Sequence, residues 1–182
     1  NRLPDYLVSL CVVGLLAIPK FWLAMTLVPW LSVGLGWLPS FGATGPASIV
    51  IPTLALAARL IALLARMVRG VIIEEMRKDY VRPAYAKGLS RGVVLRRHVL
   101  RNVMIPTVTV IGLQAGYLLG GSVVIERLFA WPGIGDLLLT AVSVRDYTLV
   151  QAIVLIFVVS FLVINIMVEI VYRFVNPRLR YA

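Results

Sequence analysis

The feature that most constrains the fold is a set of four apolar stretches, at 7–30, 47–69, 106–124 and 149–172. Each is long enough to cross the hydrocarbon of a bilayer, which takes about 20 residues of helix. Hydrophobic residues make up 60% of the chain and charged residues 14%, which leaves too few polar side chains to cover a water-soluble globule. Because backbone polar groups in lipid must be bonded within their own segment, we expect an all-α integral membrane protein, a polytopic bundle of four transmembrane helices in one domain.

Lys and Arg are distributed unevenly along the chain. Ten of the eighteen lie in residues 66–105, whereas the connections 31–46 and 127–148 hold only Arg127 and Arg145. Since loops rich in Lys and Arg stay on the cytoplasmic side, the basic stretch is predicted to be cytoplasmic and the two connections extracytoplasmic. The net charge of +10 follows this distribution. The basic residues are not interleaved with aromatic residues as they are in a nucleic-acid site, so no nucleic-acid partner is expected.

The predicted cytoplasmic loop, residues 70–105, carries helix signals of its own. Residues 83–88 suit one short helical turn, because Pro is tolerated at a helix start and Gly can end one. Ser90 is placed to cap a second helix. The apolar positions of that helix recur every four residues and its basic positions lie on another face: Leu95, Val99 and Val103 against Arg97 and Arg101. We therefore predict a helix, a glycine corner and a second helix, a structure to which a partner protein can bind.

Five polar residues lie within the apolar stretches: Lys20, Arg59, Gln114, Asn165 and Glu169. Such residues normally face a bundle interior or a watery cavity, so we interpret them as candidates for lining a translocation path. Lys20 follows Pro19, which should kink its span, and can alternatively snorkel or pair structurally. Arg59 can alternatively pair with Glu126 or Glu169 as a packing device.

The third apolar stretch contains three glycines at a spacing of four, Gly112, Gly116 and Gly120. A stripe of small residues lets another helix approach closely. Alternatively, these glycines line the translocation path. Between the third and fourth stretches, the Trp131–Gly133 break is predicted to precede a short interfacial helix at 136–144.

The chain lacks the motifs of an enzyme. It has no Gly-rich phosphate loop ending in Gly-Lys-Ser/Thr and no Ser/His/Asp set. His98 is the only histidine and Cys11 the only cysteine, so paired His ligands and an internal disulfide are excluded. We expect neither catalysis, nor a metal site, nor a cofactor bound by this chain.

The basic loop resembles the coupling-loop signature of permease subunits of ATP-binding-cassette importers, which is Glu-Ala-Ala, three residues, then Gly. Gly88 matches the glycine and Ala84 the second alanine, whereas Arg82 and Pro83 replace the Glu and the first Ala, and Arg101 replaces a proline. Further motifs are similar to the first permease of dipeptide, oligopeptide and nickel importers: DYVRxAxAKGL at 79–89, HVLRNxxIP at 98–106, FAWPGIG at 129–135, RDYxxVQ at 145–151 and NPRLRY at 176–181. The resemblance runs over essentially all 182 residues.

The resemblance implies a type I importer-like permease of six spans in the bacterial cytoplasmic (inner) membrane. The chain opens on Asn1, and we expect it to be a piece that lacks the first two spans. The implied docking helix would enter a groove on an ATPase, with small Ala84 and Ala86 allowing close approach and Tyr85 filling a pocket. The coupling residues so implied are Arg82, Ala84, Tyr85, Ala86, Lys87, Gly88, Leu89, Ser90 and Arg91.

The implied function is import of di- or oligopeptides by alternating access. The implied partners are a second homologous permease, two ATPase subunits that bind ATP and Mg, an extracytoplasmic solute-binding protein and membrane lipid. Nickel and glutathione importers share the same motifs. From the residues alone, two other classes stay open: a gradient-driven secondary transporter that uses carboxylates such as Glu126 and Glu169, and a non-transporting scaffold. The basic loop can alternatively be an amphipathic membrane-surface loop held by anionic lipid.

Overall fold

The computed structural model describes residues 2–175, and every regular element in that range is helical. The helices are α1 (Arg2–Ala17), α2 (Lys20–Val28), α3 (Val50–Glu75), α4 (Val81–Ala86), α5 (Arg91–Leu128), α6 (Ile134–Ser143) and α7 (Tyr147–Val175). The predicted all-α fold class is confirmed. The tail motif at 176–181 lies outside the described residues.

Three of these helices are long and apolar enough to cross a membrane, by length and composition alone. They are α3 with the turn that precedes it (Pro46–Glu75), α5, and α7 over Tyr147–Arg173. Within residues 2–175, a fourth crossing requires that α1 and α2 count as one bent span. The apolar stretches of the sequence thus coincide with helices, and their four crossings stay a prediction.

The first apolar stretch is broken at Pro19 rather than kinked. Helix α1 ends at Ala17, α2 begins at Lys20, and the two helices are bent by 106° relative to each other. Pro19 adopts an extended conformation with φ −62° and ψ 139°. It has no N–H to bond the preceding turn, and its ring clashes with that turn. The single kinked rod predicted for 7–30 is therefore wrong: two helices meet at an angle, and Lys20 lies at the corner.

Helix α5 joins the basic loop to the third apolar stretch without a break. It runs through 38 residues and includes a π-helical turn at Leu95–Val99. Pro106, which the sequence suggests as the start of the span, lies inside it. At 1.5 Å per residue the helix is about 57 Å long. The second loop helix and the third span are therefore one rod.

Two apolar clusters hold α5 against α3, one at each end. At the outer end, predicted to be extracytoplasmic, the buried residues come from α2, α3 and α5 and include Ala24, Val28, Ile51, Ala55, Ile125 and Phe129. At the basic end they are Val81, Ala84, Val94, Val99 and Val103, with Val68, Val71 and Ile72 of α3 and the following Met76 packed against them. The predicted inward face of the loop helix is confirmed at Val99 and Val103, and Arg97 and Arg101 are exposed as expected.

Two of the three glycines in the stripe pack against α7. A Cβ added at Gly112 would lie 2.7 Å from Val168 Cγ1, and one at Gly116 would lie 2.6 Å from Phe161 Cε2. A Cβ at Gly120 would meet nothing within 4 Å. The missing side chains at Gly112 and Gly116 therefore make room for α7, whereas no neighbour lies close to Gly120.

The FAWPGIG segment folds around the carboxylate of Glu126. Glu126 Oε2 accepts hydrogen bonds from the backbone N–H groups of Gly135 (2.8 Å) and Asp136 (3.2 Å). These groups open α6, where N–H groups lack helical partners and the dipole favours a negative charge. Arg127 Nη1 lies 3.0 Å from Asp136 Oδ1. The predicted helix at 136–144 is confirmed as α6, although the sequence gives no sign of its carboxylate cap.

The two connections predicted to be extracytoplasmic contact each other. The N–H of Gly42 donates to the carbonyl oxygen of Phe129 at 2.7 Å. The rings of Phe41 and Phe129 lie 6.0 Å apart between centroids. The outer end of the chain is therefore one joined surface.

We predict that Gly116→Ala destabilises the full-length permease, whereas Gly120→Ala does not. A methyl group at position 116 must displace the Phe161 ring, while position 120 is open and gains up to about 1 kcal/mol from the better helix propensity of Ala. Thermal unfolding of the purified variants in detergent should give a Tm below wild type for position 116 and at or above it for position 120. Equal Tm values would contradict the α5–α7 packing.

We predict that Gly135→Ala detaches α6 from α5. The added Cβ would lie 2.6 Å from the backbone Cα of Val123, and a backbone atom cannot swing aside as a side-chain tip can. Trypsin added to the outer face of vesicles should cleave after the exposed Arg145 at least several-fold faster in this variant. Gly14→Ala, where a Cβ meets nothing within 4 Å, is the control. Unchanged cleavage would show that α6 is held by other contacts.

Candidate functional site

The short helix α4 and the glycine turn after it protrude at the basic end, and we call residues 81–91 the knuckle. Gly88 has φ +76°, a conformation that glycine adopts without strain. Its N–H donates to the carbonyl of Tyr85 at 2.9 Å, and the N–H of Leu89 donates to that of Ala84 at 3.4 Å. This pair of bonds is the Schellman helix end, and Leu89 adds the hydrophobic contact that accompanies it. The predicted glycine corner is confirmed.

Most of the coupling residues implied by the resemblance lie on the outside of the knuckle: Arg82, Tyr85, Ala86, Lys87, Gly88, Ser90 and Arg91. Leu89 is half-buried. Ala84 is only 6% exposed and packs with Val94, Val99 and Val103. Ala84 therefore packs α4 against α5, and its small size lets the two helices approach closely.

Ser90 begins α5 without the predicted side-chain cap. Its backbone is extended, with φ −65° and ψ 153°, and the structure gives it no side-chain cap bond. Its carbonyl oxygen instead accepts the N–H of Val94 at 3.0 Å. The helix start is where the sequence predicts, but its hydroxyl stays free for other contacts.

A polar network fastens the base of the knuckle to both long helices. Glu75, the last residue of α3, is buried, and one of its carboxylate oxygens accepts a hydrogen bond from the Tyr80 hydroxyl at 2.5 Å. Asn102 of α5 donates to the same oxygen at 3.4 Å and to the Tyr80 hydroxyl at 3.1 Å. Lys78 pairs with the other oxygen. One carboxylate therefore ties together α3, the loop before α4, and α5.

Tyr80 and Lys78 remain protonated hydrogen-bond donors in this network, because the pKa of each is raised. Burial raises the pKa of Tyr80, and the hydrogen bond to Glu75 raises it further, so the phenol remains a donor at neutral pH. The hydrogen bond to Glu75 also raises the pKa of Lys78. This network was not predicted from the sequence, although the motifs DYVR and HVLRN contain Tyr80 and Asn102. Nothing in their spacing indicates that they meet.

The cations predicted to line a path, Lys20 and Arg59, converge on one aromatic ring. Lys20 Nζ lies 5.3 Å from the centroid of the Tyr117 ring, and Arg59 Cζ lies 5.6 Å from it. A Cβ at Gly121, one turn further along α5, would lie 2.5 Å from Lys20 Nζ, so the absence of a side chain there makes room for the ammonium. Tyr117 and Gly121 were missed, because an aromatic residue and an extra glycine are unremarkable in an apolar span.

Arg59 does not form the ion pair suggested from the sequence. Glu126 is bound to the start of α6, and Glu169 pairs with Arg173 at 3.0 Å. In the described part of the chain, Arg59 has a cation–π contact with Tyr117 instead.

The remaining polar candidates lie elsewhere. Asn165 and Glu169 line a groove of about 370 Å³ between α5 and α7, together with Thr109, Gly112, Leu113, Val168 and Tyr172. Gly112 and Gly121 are nine residues apart on α5, so the groove and the cation pair lie on opposite faces of that helix. Gln114 is half-buried on α5. The five predicted path residues therefore do not form one site.

Known proteins are similar in sequence to this chain over its whole length. Residues 1–181 match the family model described as "Binding-protein-dependent transport system inner membrane component". The chain is 45% identical over 181 residues to the "Glutathione transport system permease protein GsiC" of Escherichia coli strain K12. It is 46% identical over 182 residues to the protein of that name from Salmonella paratyphi A.

These alignments cover 100% of this chain and 59% of each relative. The chain therefore spans somewhat more than half the length of the curated relatives it matches. The apolar helices, the basic knuckle and the family match agree on a multi-pass protein of the bacterial inner membrane. The chain belongs to the family of inner-membrane components of binding-protein-dependent transport systems, the permeases of ATP-binding-cassette importers.

Proposed function

We propose that this chain is the translocating part of a permease subunit in an ATP-driven importer of short peptides, glutathione among them. The observation that carries the proposal is the knuckle, an exposed, rigid turn mounted on two long helices at the basic end. The chain works with a second permease, two ATPase subunits that bind ATP and Mg, and an extracytoplasmic binding protein. It supplies no ATPase site of its own.

Movement of the knuckle is passed on by rigid elements. The six residues of α4 are too few to form a stable helix alone, so α4 keeps its shape through Ala84 and the glycine end. The Glu75 network and the basic-end cluster fix it to α3 and α5. A push on the exposed residues therefore moves both helices together, as in rigid-body alternating access. The energy comes from different contacts of the ATPases with the inward and outward states.

The outer end offers a surface of the kind that a solute-binding protein needs. The connections 31–46 and 127–148 are joined through Phe129, and α6 is fixed by Glu126. Both connections are attached to α5, the same rod that carries the knuckle. Docking outside and ATP binding inside thus act on one helix.

A gradient-driven secondary transporter is less well supported. It would need free intramembrane carboxylates to carry ions, and the two candidates are already engaged. Glu126 accepts two backbone hydrogen bonds, and Glu169 pairs with Arg173.

The choice of peptides as cargo rests on two observations. The curated relatives are named as glutathione permeases, and glutathione is itself a small peptide. The two cations at Tyr117 would repel bare Ni²⁺, which disfavours the nickel importers of the same branch.

We predict that Tyr85→Ala weakens the capture of the ATPase. Tyr85 is 40% exposed on the knuckle, and a large aromatic residue at the centre of an interface typically contributes about 2 kcal/mol. Co-purification of the ATPase with the full-length permease should fall at least tenfold. Tyr147→Ala, which removes an exposed tyrosine at the outer end, is the control. If both variants retain the ATPase equally, the knuckle is not the docking element.

We predict that Glu75→Gln uncouples ATP hydrolysis from transport without releasing the ATPase. The exposed face of the knuckle is unchanged, but the charge that pairs with Lys78 is lost and one of the two acceptor oxygens becomes an NH2 donor, so the network is left partly unsatisfied at a cost of about 1–3 kcal/mol. The reconstituted complex should transport fewer molecules per ATP hydrolysed. The matched control is Glu74→Gln, the same change at the exposed neighbour. Equal transport per ATP in the two variants would contradict a role for the network.

A further inference from the structure

We propose that Lys20 and Arg59, gathered at the Tyr117 ring, bind the free carboxylate of the transported solute. This inference rests on the proposed importer function and adds a substrate class to it. The site selects solutes that carry a carboxylate, and it does so inside the permease, separately from any selection by a binding protein.

The cations have no counter-charge within the described chain. Three of the eight acidic residues form ion pairs outside the loop network: Asp5 with Arg69, Asp136 with Arg127, and Glu169 with Arg173. The other five are bound or placed elsewhere: Glu75 in the knuckle network, Glu126 at α6, Asp146 at the start of α7, and Glu74 and Asp79 in the basic loop. The neutralising anion must come from outside these residues.

The cation pair lies near mid-membrane. Arg59 precedes Arg69, whose partner Asp5 marks the basic end, by ten residues of helix, or roughly 15 Å. It follows Pro46, the start of the same helical stretch, by roughly 20 Å. An uncompensated cation at this depth costs about 2.5 kcal/mol or more. Two cations at one ring make a bound anion strongly favourable.

The backbone at the same place indicates a cavity rather than lipid. The break between α1 and α2 lies next to Lys20, and irregular backbone at membrane depth is tolerated only where it is buried in protein or lines a water-filled space. Arg59 and half of the Tyr117 surface are exposed in this chain. The guanidinium fork, with its paired N–H donors, fits a carboxylate in particular.

The test compares each solute with an analogue in which every carboxylate is converted to an amide. The complete complex, with ATPases and binding protein, is reconstituted in vesicles, and kcat/KM for ATP-dependent uptake is measured for glutathione and glutathione with both carboxylates amidated, and for Ala–Ala and Ala–Ala amide. Because every variant uses the same binding protein, a change in the acid-to-amide ratio reports on the permease. Lys20→Met with Arg59→Met should lower that ratio at least tenfold.

Three further variants separate charge from structure. Lys20→Arg keeps the charge and should keep the ratio within about threefold. Arg59→Lys keeps the charge but loses the guanidinium fork, so it should lower the ratio less than Lys20→Met with Arg59→Met does. Gly121→Ala keeps both cations but places a methyl group 2.5 Å from Lys20 Nζ, which displaces the ammonium, and it should lower the ratio several-fold. Arg66→Met, which removes an exposed cation seven residues further along α3, should leave the ratio unchanged.

The outcomes are distinct. An unchanged ratio in the Lys20→Met, Arg59→Met variant overturns the carboxylate site while leaving the importer intact. Disassembly of the complex in that variant, with an unchanged ratio in Gly121→Ala, means that a neighbouring protein segment supplies the anion, and this also overturns the site. Absence of ATP-dependent uptake of every acid by the wild type overturns the proposed function and this inference with it.

Discussion

The packing of α5 on α3 is the contact on which the rest of the structure depends. The two helices are held at the outer end by one buried cluster and at the basic end by another. Each cluster also anchors a shorter helix, α2 outside and α4 at the base. Lipid supplies no hydrophobic drive between helices, so such close apolar contact must come from packing. Because both clusters pack between the same two helices, the two ends of the chain cannot move independently.

Helix α4 is held in place by apolar packing and by one buried carboxylate. Ala84 presses α4 into the basic-end cluster, which fixes its distance from α5, and Glu75 fixes its orientation through Tyr80 and Asn102. A buried carboxylate with three donors is costly to leave partly satisfied, so the network favours one geometry over alternatives. Gly88 then turns the chain directly into α5. Stiffness at this corner matters more than helix length, since force applied to a flexible loop would be dissipated.

The elements that could be predicted from the sequence are those determined by residues close to one another in the chain. Apolar length identified the long helices, and Gly88 and the Trp131–Gly133 break marked two chain reversals, because the relevant backbone preferences lie within a few residues. Contacts between distant residues were not predictable: Asn102 meets Glu75 across 27 positions. Pro19 shows the same limit in another form. A proline indicates that a helix is interrupted, but the 106° angle is set by how both halves pack on α3.

The distribution of charge within the bundle separates structural from functional polar residues. Glu126 is stabilised by the backbone N–H groups that open α6, and Glu169 is paired with Arg173 four residues further along its own helix. Such local partners make a charge within a membrane protein tolerable. Lys20 and Arg59 differ from these carboxylates. They come from separate helices, and in the described part of the chain both contact the Tyr117 ring and neither forms an ion pair. A cation–π contact is worth about 0.5–2 kcal/mol, less than the cost of holding two cations at depth. Within residues 2–175 the fold therefore brings together two charges that it does not neutralise, and the anion proposed to bind there would supply the missing stabilisation.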